Sequence, residues 1–147
     1  MHTVNTILEQ KGNAVHRIAV GATVLEAAQL MNAQRIGALV VMERERVVGI
    51  FTERDVLNRV VALRRDPAET IVRDVMTSPV ACCAPHTTRA ECRTVMRNRR
   101  IRHLPVVHHD QLVGIVSIGD LLLDEDAEKS ETIRYLFEYM HGEWRTA

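Results

Sequence analysis

The apolar positions of this chain fall into short valine-rich runs broken by polar turns, and the arrangement occurs twice. "GALVVMERERVVGIF" (residues 37–51) and "HLPVVHHDQLVGIV" (residues 103–116) each set two apolar stretches around a charged or histidine-rich turn. Such runs predict paired strands, short enough to lie in a buried sheet. Before each pair stands a stretch that reads as a helix entered through a threonine: "TVLEAAQLMNAQ" from Thr23 and "TRAECRTVMRNR" from Thr88. Both carry Thr-x-x-Glu (Thr23 with Glu26, Thr88 with Glu91), the capping-box spacing of a helix start. Further upstream, "VHRIAV" and "VACCAP" predict short extended pieces, and a second helix is expected to begin at Thr52 or Ser117. The pattern predicts a β-α-β-β-α unit given twice, an α/β (α+β) fold.

The two units are copies. Residues 15–57 align with residues 80–122 without a gap, and 14 of the 43 aligned positions are identical, which establishes an internal duplication. Among the matches are Met31/Met96, Arg35/Arg100, Ile36/Ile101, Leu39/Leu104, Gly49/Gly114 and Asp55/Asp120. "RRDPAETIVRDVMTSP" joins the copies. Residues 1–68 are read as the first repeat with an N-terminal helix, 69–124 as the second repeat, and 125–147 as a C-terminal amphipathic helix. In the N-terminal "VNTILEQKG", Val4, Ile7 and Leu8 share a face and Gly12 suits a helix end. In the tail, Ile133, Leu136, Phe137 and Met140 form an apolar stripe. A surplus apolar face of this kind points to a homodimer, with intramolecular capping of the repeats as the alternative.

Composition narrows the function. At 147 residues, 46% hydrophobic and 26% charged, the chain suits one compact body with a real core. Its formal charge of zero excludes an overall field that would draw nucleic acid or an anionic membrane. No apolar run approaches the roughly 20 residues of a membrane span, and "MHTVNTILEQK" does not read as a signal peptide. Three cysteines, an odd number, suit a reducing interior, so a cytoplasmic location is expected.

The residues resemble a known family, the tandem cystathionine β-synthase (CBS) domain pair, or Bateman module. The likeness rests on "DVMTSPV" opening the second copy, and on "IGALVV" and "IRHLPVV" on the middle strands. It rests above all on Gly-hydrophobic-x-Ser/Thr-x-x-Asp, which stands in register as Gly49-Ile50-Phe51-Thr52-Glu53-Arg54-Asp55 and as Gly114-Ile115-Val116-Ser117-Ile118-Gly119-Asp120. The resemblance implies two repeats about a pseudo-twofold axis, two clefts between them, and pairing of modules into a disc. It implies adenine nucleotides as ligands (AMP, ADP or ATP, with NAD(H) or S-adenosylmethionine as further candidates). It also implies a regulatory role toward a partner protein, with no catalysis and no catalytic cofactor.

The chemistry of the motif fits such a ligand. An ionised aspartate only accepts hydrogen bonds, and its two oxygens match the paired hydroxyls of a ribose. Asp55 and Asp120 are therefore candidate ribose ligands. Thr52 and Ser117, at a strand-to-helix junction, suit phosphate through their hydroxyls and the nearby amides. Gly49 and Gly114 admit close backbone approach. Ile36, Ile50, Ile101 and Ile115 offer apolar walls for a purine. The competing reading is that Ser/Thr-x-x-Asp is only a helix cap. The copies differ, since Arg54 in the first is replaced by Gly119 in the second. The resemblance further implies that the Asp55 cleft borrows Thr87, Ile101 and Arg102, with His103 adjacent. It implies likewise that the Asp120 cleft borrows Ala22, Ala27, Ile36 and Gly37. More phosphate-binding groups are expected on the Asp55 side.

Other signals are set aside. Cys82, Cys83, Cys92, His86, His108 and His109 show no metal-ligand spacing, so no metal site is expected. Arg97, Arg99, Arg100 and Arg102 form a basic cluster without a nucleic-acid reader motif. No nucleophile–base pairing is recognisable. The expected function is a nucleotide-sensing regulatory module. The alternative is a ligand-free interaction module that works through its terminal helices.

Overall fold

The computed structural model describes residues 2–128; the apolar stripe expected in the C-terminal tail lies outside the described residues. Helix α1 (Val4–Lys11) comes first, followed by β1 (Arg17–Ala19), α2 (Val24–Gln34), β2 (Ala38–Glu43) and β3 (Arg46–Thr52). The short α3 (Glu53–Asp55) runs into a π-helical turn, Val56–Val61. After the linker helix α4 (Val72–Val75) come α5 (Arg89–Arg99), β4 (His103–His108), β5 (Gln111–Ser117) and α6 (Ile118–Glu128).

The duplication is visible in backbone detail. Helices α2 and α5 both open with complete capping boxes at Thr23 and Thr88, and both end on an arginine in the left-handed region, Arg35 (φ 54°) and Arg100 (φ 55°). The hairpins β2–β3 and β4–β5 shift register at equivalent points, between Val41 and Met42 and between Val106 and Val107. Each repeat has its own core. In the first, Phe51, Leu39, Val41, Val24, Met31 and Val60 are buried together, and in the second Leu104, Val106, Val116, Leu121, Cys92 and Met96. Val40, Met42 and Leu112 form a third cluster that joins the two sheets.

One expected strand is curtailed. In the first repeat β1 lies parallel to β2, with Val40 N–H donating to the His16 carbonyl and Val20 N–H to the Met42 carbonyl. In the second, "VACCAP" keeps only the Cys83–Val106 bridge, which matches Ile18–Val41 in the first. Pro105 replaces Val40 and Pro85 replaces Val20. A proline has no N–H, so both flanking ladder bonds are lost and the strand shrinks to its centre.

The leading helices are exchanged between repeats. α1 stands before the first repeat in the chain, yet Val4, Ile7 and Leu8 are buried in the core of the second. The expected grouping of residues 1–68 thus follows chain order and not packing. Reciprocally α4, which leads the second repeat, buries Val72 and Val75 in the core of the first. The backbone bonds correspond: Val4 N–H donates to Thr87 O (2.8 Å) as Val72 N–H does to Ala22 O (2.8 Å), and the bridge Thr3–Thr88 mirrors Ile71–Thr23. The start of α1 is held further by buried Asp124, which meets His2 Nδ1 at 3.0 Å and Arg89 Nη1 at 2.6 Å. Each such fully buried aliphatic side chain contributes about 1.5–3 kcal/mol. The exchange therefore fastens each repeat to the segment that precedes the other.

Candidate functional site

The glycines of the motif mark where these leading segments cross the hairpins. A Cβ on Gly49 would stand 2.6 Å from Met76 Sδ and 2.9 Å from the Thr77 carbonyl. A Cβ on Gly114 would stand 2.9 Å from Leu8 Cδ2. Each crossing brings the next residues of the leading segment toward the aspartate at the end of the hairpin, and two clefts open there between the repeats.

The first cleft has a volume of about 230 Å3 and is lined by Gly37, Ile50, Thr52, Glu53, Arg54, Asp55, Asn58, Arg59, Thr77, Arg100, Ile101, Arg102 and His103. Gly37 matters by closeness: its carbonyl accepts from Glu53 N–H at 3.1 Å, and a Cβ there would lie 3.2 Å from Glu53 Oε1. Asp55 is buried (6% exposed). Its Oδ2 accepts from Thr52 N–H at 2.9 Å, and its Oδ1 accepts from the Thr77 hydroxyl at 3.2 Å. Arg59 Nε stands 3.7 Å from Oδ1, while its Nη1 donates to the Met76 carbonyl at 2.7 Å. Among the described residues, Arg54, Arg100 and Arg102 have no side-chain hydrogen bond or ion pair, so three guanidinium groups face this cleft uncommitted.

The second cleft, about 280 Å3, is lined by Lys11, Ala14, Val15, His16, Ile36, Gly37, Ala38, His103, Ile115 and Ser117. Asp120 stands behind Lys11: its Oδ2 accepts from Ser117 N–H at 2.8 Å and from Lys11 Nζ at 2.7 Å. Gly37 and His103 line both clefts and form the wall between them. Burial pushes the His103 imidazole below its ordinary value of 6.5, against the pull of Asp120 and Glu53, so the ring is neutral at pH 7.

The helix-cap reading holds in both copies. Thr52 with Asp55 forms a full capping box, and Ser117 with Asp120 repeats it, with Asp120 N–H donating to Ser117 Oγ at 3.2 Å. The amides expected to meet phosphate are largely committed. Thr52 N–H goes to Asp55, Glu53 N–H to the Gly37 carbonyl and Asp55 N–H to Thr52 Oγ1, with Ile118 N–H bonded to the Arg102 carbonyl in the second copy. Charge for an anion comes instead from arginine side chains.

Of the residues picked from the sequence, Thr52, Arg54, Asp55, Ile50, Ile101, Arg102 and His103 converge on the first cleft, and Ile36, Gly37, Ile115 and Ser117 on the second. Five line neither cleft. The Thr87 carbonyl and hydroxyl bind Val4 N–H and Ala84 N–H, the Ala22 carbonyl is bound by Val72 N–H, and Ala27 is wholly buried in the first core. The exchanged leading segments occupy the edge where Thr87 and Ala22 would otherwise be open. Gly119 and Asp120 lie just outside the second cleft's lining. Glu53, Asn58, Arg59, Thr77 and Lys11 were not anticipated as site residues. Asn58 and Arg59 lie one turn beyond Asp55, a spacing that signals proximity; Thr77 and Lys11 arrive through the exchange, which no local pattern shows.

The two crossings, the paired capping boxes and the shared wall form one repeated architecture, and residues 13–62 and 72–124 each match the CBS domain. The chain belongs to the CBS domain family. It is a CBS domain pair, a regulatory module. The CBS domain-containing protein YhcV of Bacillus subtilis is 31% identical over 127 residues, covering 86% of this chain and 90% of YhcV. The crystal structure of the CBS domain protein NE2398 superposes with a TM-score of 0.80 at 39% identity, covering 84% of this chain and 96% of that one. The CBS domain protein PAE2072 from Pyrobaculum aerophilum, complexed with AMP, superposes with a TM-score of 0.73 at 28% identity, covering 83% and 96%. Among the described residues no CBS helix is long and apolar enough to cross a membrane, and no group of three His, Cys, Asp or Glu is placed to hold a metal ion. The neighbouring Cys92 and burial push the Cys83 thiol far up from its ordinary value, so it stays protonated.

Proposed function

We propose that this CBS pair senses adenine nucleotides and that the Asp55 cleft is its principal seat. The observation that carries the reading is the set of three uncommitted guanidinium groups, Arg54, Arg100 and Arg102, around a cleft with apolar walls at Ile50 and Ile101. A purine would lie between the isoleucines, a phosphate would meet the arginines, and a ribose hydroxyl would replace the Thr77 hydroxyl on Asp55 Oδ1. The AMP complex of PAE2072 supports the ligand class. A ligand that touches both repeats favours one angle between them and so reports occupancy to a partner protein. Exposed Leu57, Val61 and Leu63 on one repeat, and Leu122 and Leu123 on the other, support self-association, with Leu57 and Leu122 at equivalent positions. The three free thiols fit a reducing compartment such as the cytoplasm.

A thermal-shift panel of AMP, ADP, ATP, NAD, NADH and S-adenosylmethionine tests the reading. A ligand at about 100 times its Kd adds roughly 2.7 kcal/mol of stability, which raises Tm by about 5–11 °C for a chain of this size. Arg102→Ala should cut that shift without lowering the unliganded Tm, because Arg102 is exposed and its side chain uncommitted. A flat response to the whole panel would leave the interaction-module reading, which the exposed leucines favour, in its place.

A further inference from the structure

The two clefts are copies, yet the carboxylates at their ends meet different partners. In the first repeat the crossing segment is Met76 and Thr77, and a neutral hydroxyl reaches Asp55 at 3.2 Å. In the second the crossing segment is the last turn of α1. Leu8 lies over Gly114, and one turn later Lys11 Nζ donates to Asp120 Oδ2 at 2.7 Å and to the Ile115 carbonyl at 2.8 Å. The cause is helix length. α4 has four residues and stops short of its cleft, whereas α1 has eight and carries an ammonium group into its own.

We infer that Lys11 is a built-in occupant of the Asp120 cleft, which limits each chain to one nucleotide, taken at the Asp55 cleft. The inference rests on the nucleotide reading above and adds the stoichiometry and the residue that sets it. A ribose diol approaching Asp120 must displace a bond in which both the ammonium donor and the carboxylate acceptor are charged. It must also leave the Ile115 carbonyl without its donor. At Asp55 it displaces only a hydroxyl and the loose 3.7 Å contact of Arg59. The phosphate gains no compensation in the Asp120 cleft. The Lys11 charge is already matched by Asp120, and among the described residues no arginine or second lysine lines this cleft, against four arginines on the other side.

Calorimetric titration of the full chain with AMP, and separately with ATP, decides the matter. Lys11→Met removes the ammonium but keeps an unbranched apolar stem on α1; an unchanged unliganded Tm confirms that the helix stays docked. The wild type should take one nucleotide per chain and Lys11→Met two, with affinity at the Asp120 cleft raised about tenfold or more. Lys11→Met combined with Asp55→Asn should retain a site at the freed cleft. Two nucleotides on the wild type, or one on Lys11→Met as on the wild type, would overturn the role of Lys11 and leave the nucleotide reading standing. Loss of a site in Lys11→Met would overturn it too, by making Lys11 a ligand group. Binding to Lys11→Met alone would support the role of Lys11 and overturn the Asp55 cleft as principal seat. No binding to either protein would overturn both.

Discussion

The two repeats share their strands, bulges and caps, and differ most in the segments laid across them. Repeat 1 is crossed by a four-residue helix and an extended Met76 and Thr77; repeat 2 is crossed by the eight-residue α1. The same glycine serves both crossings, but what lies over it is backbone and thioether in one case and the end of a leucine side chain in the other. A duplicated motif thus guarantees equivalent clefts only up to the point where a third element enters. The partner of each aspartate is chosen by that element.

The largest expected effect comes from loosening one crossing and not the other. Ile7→Ala should destabilise the protein by about 2–5 kcal/mol, because Ile7 is 3% exposed in the second core. Val75→Ala, at the corresponding position under the first crossing, removes one carbon fewer and should cost about 2 kcal/mol. Urea unfolding midpoints compare the two, and a smaller loss at Ile7 than at Val75 would contradict the burial of Ile7 in the second core.

The glycines sharpen the contrast at smaller scale. Gly49→Ala pushes a methyl into Met76 Sδ and the Thr77 carbonyl, and backbone cannot swing aside, so a loss of about 1–3 kcal/mol is expected. Gly114→Ala meets only Leu8 methyls, which can rotate, and the stiffer unfolded chain offsets the crowding, so the net change should stay within about 1 kcal/mol. Thermal unfolding of both variants reads the difference directly. A larger loss at Gly114 would contradict the crossing geometry.

The smallest effect is pH-linked and belongs to the wall between the clefts. Burial holds the folded His103 below 6.5, so the unfolded chain takes up the proton more readily. Stability present above pH 6.5 is therefore lost as pH falls from there through the folded value. In urea titrations across this window, His103→Gln should flatten the slope relative to wild type. An unchanged slope would show that other histidines carry it.

Much of this was legible in the residues. The gapless alignment exposed the doubled unit, Thr-x-x-Glu located two helix starts, and the spacing of Thr52 and Asp55 gave one cleft its caps. Cys82, Cys83 and Pro85 were misleading in company. Their apolar pattern reads as a strand, but the missing N–H groups of Pro85 and Pro105 remove its flanking bonds, a conflict of hydrophobic pattern with donor supply. Thr87 and Ala22 were assigned to clefts because nothing local shows that α1 and α4 cover them.

Local pattern is decided by neighbours in the chain, and so the repeats, the caps and the candidate carboxylates followed from the order of residues. The exchange of leading helices is a choice that joins segments about 80 residues apart at Val4 with Thr87 and about 50 apart at Val72 with Ala22, made by fit of their apolar side chains to one buried surface over another. That choice alone placed a lysine against Asp120 and a threonine against Asp55. Packing, which no short stretch encodes, made two copies of one motif chemically unequal.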